Sequence, residues 1–238
     1  MDGLFKMNPE ANMSDETEIV KEVAITTGKA IDASREFGGF IAEFIRGSLE
    51  QGMGIFEDRL RYMRWERQMR LMQKAKVFMG EIGMTHPTRE LPMKFAIPLF
   101  SGASLEDDDY LQDRWASLLV NAANADSGID QKRAYIDILE SIEPLEAKIL
   151  EKIYSLPFTD IQHNGVFTHA LPDAISIGDE QSSEKDIQPN YEVAKALGNL
   201  ARLGCIRFKQ TWGVGEVYSW VTPTIWGDSF VRACTLRK

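Results

Sequence analysis

Apolar residues recur every three or four positions along most of the chain, which is the spacing of amphipathic α-helices. Between residues 21 and 85 glycines interrupt this period, and we expect helices that are broken or closely packed at those glycines. Residues 38–56 place Phe40 and Phe44 on the apolar side of such a helix. Residues 1–20 are polar and show no such period, so they are predicted to form a mobile tail.

A second helical unit is predicted over residues 86–142. Two prolines in the stretch HPTRELP separate it from the preceding helices. Within this unit, apolar residues of one long helix repeat at helical spacing, so we expect one buried face. This face consists of Leu111, Trp115, Leu118, Leu119 and Ala122. Gln112, Asp113 and Asn121 are expected to point away from it.

Four consecutive acids, Glu106 to Asp109, precede that apolar face. Such a run is either a metal-binding carboxylate cluster or the charged start of a helix. Consecutive helical residues fan out by about 100° each, so four in a row do not converge on one ion. Ser104 and Asp107 have the spacing of a capping box, and carboxylates in a first turn interact favourably with the helix dipole. We therefore predict a helix start here and no metal site.

The chain changes character in its C-terminal part. Pro144 suits the first position of a helix, and residues 176–189 are rich in polar turn residues, which predicts a loop. A helix capped by Gly204 is followed by two β-rich runs, which glycines join into a hairpin, and by a short closing helix. This order is that of a winged helix-turn-helix domain. We therefore predict a mostly α-helical fold, in which an N-terminal helical region and a helical core precede a winged-helix-like α+β domain over residues 143–238.

The composition is that of a soluble globular protein, since 44% of the 238 residues are hydrophobic and 26% are charged. The formal net charge of -9 argues against a protein that coats nucleic acid through bulk electrostatics. Cys205 and Cys234 lack CxxC spacing, which fits a reducing cytoplasm. Charge-free runs are far shorter than the roughly 20 apolar residues that span a bilayer, and the polar start is unlike a secretion signal. We expect a cytoplasmic protein.

Bases gather in one stretch, RLRYMRWERQMRLMQKAK (residues 59–76), which contains a single acid. The bases of this basic helix are Arg59, Arg61, Arg64, Arg67, Arg70, Lys74 and Lys76. In one interpretation its apolar side is core, and its bases are solvated or paired with the acidic remainder of the chain. In the other it is an interaction surface that lies on an anionic membrane or on RNA. The second interpretation places the protein peripherally at the inner face of the membrane.

Sequence motifs of catalysis or cofactor binding do not occur in the chain. There is no phosphate-binding loop, dinucleotide-binding glycine signature, nucleophile elbow or kinase set. His86, His163 and His169 have no HExxH or CxxC context, which favours surface or packing roles over metal binding. We therefore expect a protein that is not an enzyme and that uses no cofactor or metal.

The winged-helix-like region carries candidate nucleic-acid contacts. Three of them share one face of the helix before the hairpin, and two point together from the first hairpin strand. These residues are Lys195, Asn199, Arg202, Arg207 and Lys209. In a DNA-binding winged helix such positions meet the major groove and the phosphates. Bases outnumber acids by 7 to 4 from Asp186 to the C-terminus, which permits DNA binding without requiring it.

Three stretches of the chain carry a family resemblance. They are GSLEQGMGIFEDRLRYMRWERQMRLMQKA, DDDYLQDRWASLLVNAAN and RAYIDILESIEPLEAKILEKIYSLP. Together they resemble the abortive infection alpha (Abi-alpha) family of bacterial and prophage-borne proteins, over residues 28–235. The acidic run before YLQDRWASLLVNA and the corner in YIDILESIEPLEAKIL are the most specific parts. The resemblance implies a role in phage defence and transfers no catalytic residue.

Two function hypotheses follow from these observations. In the first, the chain is a non-enzymatic phage-defence protein whose basic helix binds a membrane surface or a macromolecular partner, while the winged-helix-like region senses or docks. In the second, it is a transcriptional regulator that binds DNA through the C-terminal helix and hairpin. A homo-oligomer is among the expected states in either case.

Overall fold

The structure is a computed structural model that describes residue 32 and residues 35–45, 65–209 and 216–236. Within these residues the fold is mostly α-helical with a small antiparallel sheet, which confirms the predicted fold class at that level. The predicted mobile tail, residues 1–20, lies outside the described residues, as do the glycines of the predicted hairpin turn.

Helices follow one another along the chain with short connections. They are α1 (residues 35–44), α2 (Trp65–Glu81), α3 (Met93–Leu105), α4 (Asp109–Ala122), α5 (Arg133–Leu139), α6 (Pro144–Ile153), α7 (Phe158–Asn164), α8 (Tyr191–Arg202) and α9 (Ile225–Ala233). The strands are β1 (Val166–Phe167), β2 (Ser176–Ile177), β3 (Ile206–Lys209) and β4 (Val217–Pro223). Short 3-10 turns lie at Ala125–Ser127 and Ser183–Asp186.

Helix α4 lies at the centre of the helical region, where it packs against α2, α3, α5, α6 and α9. Its apolar face is buried as the spacing predicts, and the side chain of Trp115 is only 1% exposed. Burial of side chains of this size contributes roughly 1.5–3 kcal/mol each, which makes α4 the main anchor of the fold. On the other side of α3, Phe37, Phe40 and Phe44 of α1 pack edge-on against Phe100.

Two polar residues of α4 correct the sequence prediction, because Gln112 and Asn121 are buried. The amide of Gln112 donates to the carbonyl oxygens of Ala103 and Glu106, at 2.7 and 2.9 Å. The amide of Asn121 donates to two carbonyl oxygens at the end of α9. These residues lie inside because free backbone carbonyls at helix ends need donors, and a buried amide supplies them.

The predicted capping box at Ser104 is wrong. Helix α3 continues through Leu105, so Ser104 lies inside it, and its hydroxyl donates to the carbonyl of Phe100 at 2.7 Å. This is the back-bond that serine makes within a helix, four residues towards the N-terminus. The next helix begins only after Asp108, whose carboxylate is its cap.

The sheet has the order β2-β1-β4-β3, and all neighbouring strands are antiparallel. Strand β4 is central, since Val221 lies opposite Val166 of β1 and Phe208 of β3. The β3–β4 pairing confirms the predicted hairpin. Strands β1 and β2 had no signal in the sequence, because two residues are too short a run to show a period of two.

The helix before the hairpin has the predicted ends. The side chain of Asn190 accepts a hydrogen bond from the backbone N–H of Val193 at 2.9 Å, and Gly204 follows the helix with a φ of 76°. A positive φ costs glycine little conformational free energy, so Gly204 can follow the last turn of this helix and end it. Within the predicted polar loop, residues 176–189, the structure contains β2 and a 3-10 turn. The buried side chains before and after residue 143 form one continuous cluster.

Candidate functional site

The acidic run that precedes α4 holds the start of that helix. One carboxylate oxygen of Asp108 accepts hydrogen bonds from the backbone N–H groups of Tyr110 and Leu111, at 2.9 and 3.0 Å. The carboxylate of Glu106 accepts from the backbone of Asp107 and Asp108, both at 2.9 Å. Two acids of the run therefore satisfy backbone donors that would otherwise lack partners, as the sequence predicted for a helix start.

The other acids of this region pair with the basic helix, which is α2 in the structure. Arg67 contacts Asp107 at 3.0 Å, and Arg70 contacts Asp109 at 3.2 Å. One turn further along, Lys74 contacts Asp113 at 2.5 Å and Asp109 at 3.8 Å. The three bases are spaced by three and four residues, so they share one face of α2 and meet the start of α4. We call these contacts the ion-pair ladder.

The seven candidate residues of the basic helix thus divide into two groups. Arg67, Arg70 and Lys74 belong to the ion-pair ladder, and Lys76 lies 3.7 Å from Glu36 of α1. Arg59, Arg61 and Arg64 lie outside the described residues. The four described bases all have acidic partners within the chain, which favours the interpretation as intramolecular pairing for this group. Their role as an interaction surface stays a prediction.

An open groove of about 610 Å³ lies beside the ion-pair ladder. One wall is the end of α3 with the acidic run, and the other is the corner between α5 and α6. Its apolar lining consists of Leu105, Leu111, Trp115, Leu139, Ile142 and Pro144. Its acidic lining consists of Glu106, Asp107, Asp108, Glu140 and Glu143. We call this feature the acidic groove.

Among the carboxylates of the acidic groove, that of Glu140 has the fewest partners within its own chain. Glu140 is the C-cap residue that follows α5, and among the described residues it forms no salt bridge. Partial burial raises the pKa of Glu140, and the nearby charge of Asp137 raises it further. By contrast, Asp107 pairs with Arg67, and Asp108 caps α4. A cation in the groove would therefore find in Glu140 a partner that is not already engaged.

Trp115, which lines the same groove, has an unsatisfied donor that the protein encloses. Its indole N–H has no hydrogen-bond acceptor among the described residues, although the side chain is almost fully buried. The ring lies against Gly102, where an added Cβ would come 2.5 Å from Cη2 of Trp115 and 2.9 Å from a carboxylate oxygen of Glu140. Buried donors without an acceptor are uncommon, because each costs about 1–3 kcal/mol.

A second polar cluster links α4 to α6. The hydroxyl of Tyr110 donates to Glu151 at 2.5 Å, and Arg114 contacts the other carboxylate oxygen of Glu151 at 2.5 Å. The guanidinium of Arg114 also stacks over the Tyr110 ring, 4.6 Å from its centre. Burial, followed by the bond to Glu151, raises the pKa of Tyr110 to about 12. This cluster therefore ties α4 to α6, and both helices contribute lining residues to the acidic groove.

The candidate nucleic-acid contacts on α8 lie against their own chain. The amide of Asn199 donates to the carbonyl of Ser141 at 2.9 Å and to Glu146 at 2.8 Å. Arg202 in turn donates to the side-chain oxygen of Asn199 at 2.7 Å. Lys195 pairs with Glu192 at 3.1 Å and remains exposed. Asn199 therefore joins α8 to the corner that forms one wall of the acidic groove.

The two candidates on β3 differ from each other. Lys209 pairs with Glu180, and its ammonium group lies 3.6 Å from the centre of the Trp220 ring. Arg207 is exposed and has no ion pair among the described residues. The structure thus leaves Lys195, Arg202 and Arg207 exposed. Asn199 and Lys209 are partly buried and bind other parts of the fold. Whether this surface contacts DNA stays a prediction.

Histidines and cysteines form no cluster in the part of the chain that the structure describes. No group of three or more His, Cys, Asp or Glu side chains there could hold a metal ion. His86 and His163 are exposed, and His169 is partly buried. Cys205 and Cys234 are free thiols inside the core, and burial raises the pKa of the Cys205 thiol to about 12.

Glu140, Glu143 and the indole N–H of Trp115 are site features that the sequence analysis missed. The signal for the first two was present, because they flank the proline corner in ESIEP, directly before Pro144. In the sequence, that corner stands out only as one of the most specific parts of the family resemblance. The unsatisfied indole N–H has no sequence signal, since it depends on which acceptors the fold brings near it.

The model of the family described as abortive infection alpha matches residues 66–234, which includes the basic helix from Glu66 onwards, the acidic run and the corner between α5 and α6. Neither a curated protein nor a solved structure matches the chain.

Proposed function

The chain belongs to the abortive infection alpha family, and on this premise we propose that it is a non-enzymatic phage-defence protein that acts by binding a macromolecular partner. The observation that carries the binding proposal is the acidic groove. The two most specific stretches of the family resemblance form its opposite walls. A concave surface with an apolar floor and polar groups at its rim is the usual form of a binding site.

The ion-pair ladder favours a protein as the partner rather than an anionic membrane or a nucleic acid. The described bases of α2 already face acids of their own chain, and the neighbouring groove carries five carboxylates. An anionic membrane or a nucleic acid would be repelled at the groove, because like charges brought together raise the free energy of the complex. A partner with cationic groups has the complementary charge.

Phage plating tests the defence assignment. Cells that express the protein should show fewer plaques, or should die after infection while the phage yield falls, and deletion of the gene should reverse this. The Glu140→Gln, Leu105→Ser variant changes two exposed groove residues and should reduce the defence, whereas Asp173→Asn and Val77→Ser change exposed residues away from the groove and are the matched controls. Unchanged plating and unchanged survival with the wild-type protein would remove the defence assignment.

The place of action in this proposal is the cytoplasm, including a peripheral position at the inner face of the membrane. No helix among the described residues is long and apolar enough to cross a bilayer. Fractionation of membrane and cytosol, before and after infection, measures this distribution. A protein found in the membrane fraction throughout, and not released by salt, would contradict the proposal.

A DNA-binding regulator is the second candidate function. It is favoured by the arrangement of residues 143–238, where α8 leads into β3 and the sheet has the order β1-β4-β3. We propose that this is a winged-helix-like unit, and the exposed Arg207 lies on its first hairpin strand. A gel-shift experiment with the region upstream of its own gene tests the function. No retardation at low salt would count against DNA binding, since non-specific phosphate contacts are strongest there.

A further inference from the structure

We propose that the acidic groove binds a basic peptide segment of a partner protein, and that this segment carries an apolar side chain next to its Lys or Arg residues. The inference rests on the proposed function, because it assigns the chemistry of the partner through which that function is performed. Two properties of the groove carry it, its charge and its exposed apolar lip, and each calls for a different group on the ligand.

Charge is the first property. Five carboxylates line the groove, and none of its described lining residues is a base. Arg67 offsets Asp107 from outside the groove, which leaves Glu106, Asp108, Glu140 and Glu143 without a basic partner in the salt bridges of the described residues. Because the lining holds five acids and no base, a cationic ligand has the complementary charge. The ligand therefore carries positive charge.

An exposed apolar lip is the second property. Four of the six apolar lining residues are at most 5% exposed, whereas the side chain of Leu105 at the lip is 65% exposed. Covering exposed apolar surface stabilises a complex by about 25 cal/mol per Å². A volume of about 610 Å³ is large enough for several side chains. A simple polyamine would satisfy the carboxylates but carries no apolar side chain that would cover Leu105.

A cationic group and an apolar group occur together in a Lys- or Arg-containing peptide that also carries an apolar side chain. The groove is complementary to that combination.

Peptide binding to the full chain is the direct test. The probe is a fluorescently labelled synthetic peptide of alternating Lys and Leu, followed by fluorescence anisotropy. We expect binding that weakens as salt rises, because salt screens exposed charges. A matched peptide of alternating Glu and Leu should not bind. Spermine should compete only weakly, since it offers no apolar side chain.

Three groove variants and two control variants sharpen the test. Glu140→Gln should weaken peptide binding about threefold to fivefold, as expected for one exposed ion pair. Leu105→Ser should weaken it by a similar factor, and the two changes together by about tenfold. Asp173→Asn and Val77→Ser change an exposed acid and an exposed apolar residue away from the groove, so they should leave binding unchanged.

Glu140→Gln and Leu105→Ser decide the question without disturbing the core, because both side chains are exposed. Equal affinity of wild type and groove variants, or equal affinity for the Lys–Leu and Glu–Leu peptides, would overturn the proposal. So would spermine binding as tight as that of the peptide.

The outcomes also separate this inference from the proposed function. Phage defence together with unchanged peptide affinity of the groove variants would keep the function and overturn the groove as the partner site. Specific peptide binding in a protein that has no effect on phage plating would support the groove and remove the defence assignment. Variants that lose both the peptide and the defence phenotype would support both.

Discussion

Gly102 of α3 and Trp115 of α4 lie in direct contact, so closely that a Cβ on Gly102 would come 2.5 Å from the indole ring. The absent side chain therefore sets the distance between the two helices. The carboxylate of Glu140 is near the same point, at 2.9 Å from that added Cβ. One glycine thus positions both the wall and the floor of the acidic groove.

Gly102→Ala should destabilise the protein by about 1–3 kcal/mol, because the added methyl group overlaps the Trp115 ring. The matched control is Gly198→Ala in α8, where an added Cβ meets nothing within 4 Å. That change should stabilise the protein by up to about 1 kcal/mol, since alanine favours helices over glycine. Urea unfolding measures both. Equal effects of the two substitutions would show that Gly102 does not set the helix distance.

The ion-pair ladder should contribute little to stability despite its number of contacts. The carboxylates of Asp107 and Asp109 are each 78% exposed, so replacing Arg67 or Arg70 with Gln should cost under about 1 kcal/mol. A double-mutant cycle of Arg70→Gln and Asp109→Asn measures the coupling, with Lys94→Gln as a control on an exposed base. A coupling energy above about 2 kcal/mol would contradict the expectation from exposure.

The basic helix should bind vesicles of phosphatidylglycerol, or RNA, if it is an interaction surface. Each base near a charged bilayer contributes about 1 kcal/mol, and the affinity should fall steeply as salt rises. Replacing Arg61, Arg64 and Arg67 together with Gln should abolish this binding with little loss of stability. The control replaces three exposed bases elsewhere, Lys94, Arg133 and Arg232. A wild-type protein that binds neither ligand at low salt would leave the arginines with a structural role only.

Replacement of Asn199 or Arg207 by alanine should change the stability of the protein to different extents. Asn199→Ala leaves the carbonyl of Ser141 and the carboxylate of Glu146 without their amide donor, so it should cost about 1–3 kcal/mol. Arg207→Ala should change stability by less than about 0.5 kcal/mol, because the side chain is exposed. If the second function is correct, Arg207→Ala also weakens DNA binding in a gel-shift experiment. A marked loss of stability in Arg207→Ala would assign that residue to the fold.

Stability should fall as the pH rises above 9. The pKa of Cys205 is raised from 9.0 to about 12, and that of Tyr110 from 10.0 to about 12, in both cases mainly by burial. Because each folded-state pKa lies above the unfolded value, the stability that these groups contribute is complete below pH 9 and is lost towards pH 12. Urea unfolding at a series of pH values measures the fall.

Tyr110→Phe tests how much of this pH dependence comes from ionisation of Tyr110. The variant should lose the hydrogen bond to Glu151 at neutral pH, yet its stability should fall less between about pH 10 and 12, because no phenol remains to ionise. Tyr191→Phe is the control, since Tyr191 is 76% exposed. An unchanged slope in Tyr110→Phe would show that other groups cause the fall.

Much of the local structure could be predicted from the sequence, because local structure depends on residues that are near in the chain. The spacing of Leu111, Trp115 and Leu118 was enough to predict the buried face of α4. Gly204 was enough to predict the end of α8, since the backbone there has a positive φ. The family motifs also gave the family before any fold was known.

Only the tertiary structure decided which residues meet across the fold. Gln112 and Asn121 read as surface residues from their polarity, but the carbonyl groups that they satisfy belong to other helix ends. The same holds for Arg67 and Asp107, which are 40 positions apart in the chain, and for Glu140 beside Trp115. The period of a helix fixes which side of it is apolar, whereas the partner of each polar group depends on how the helices pack. For that reason the sequence by itself determined the helices and the family, and packing alone created the acidic groove.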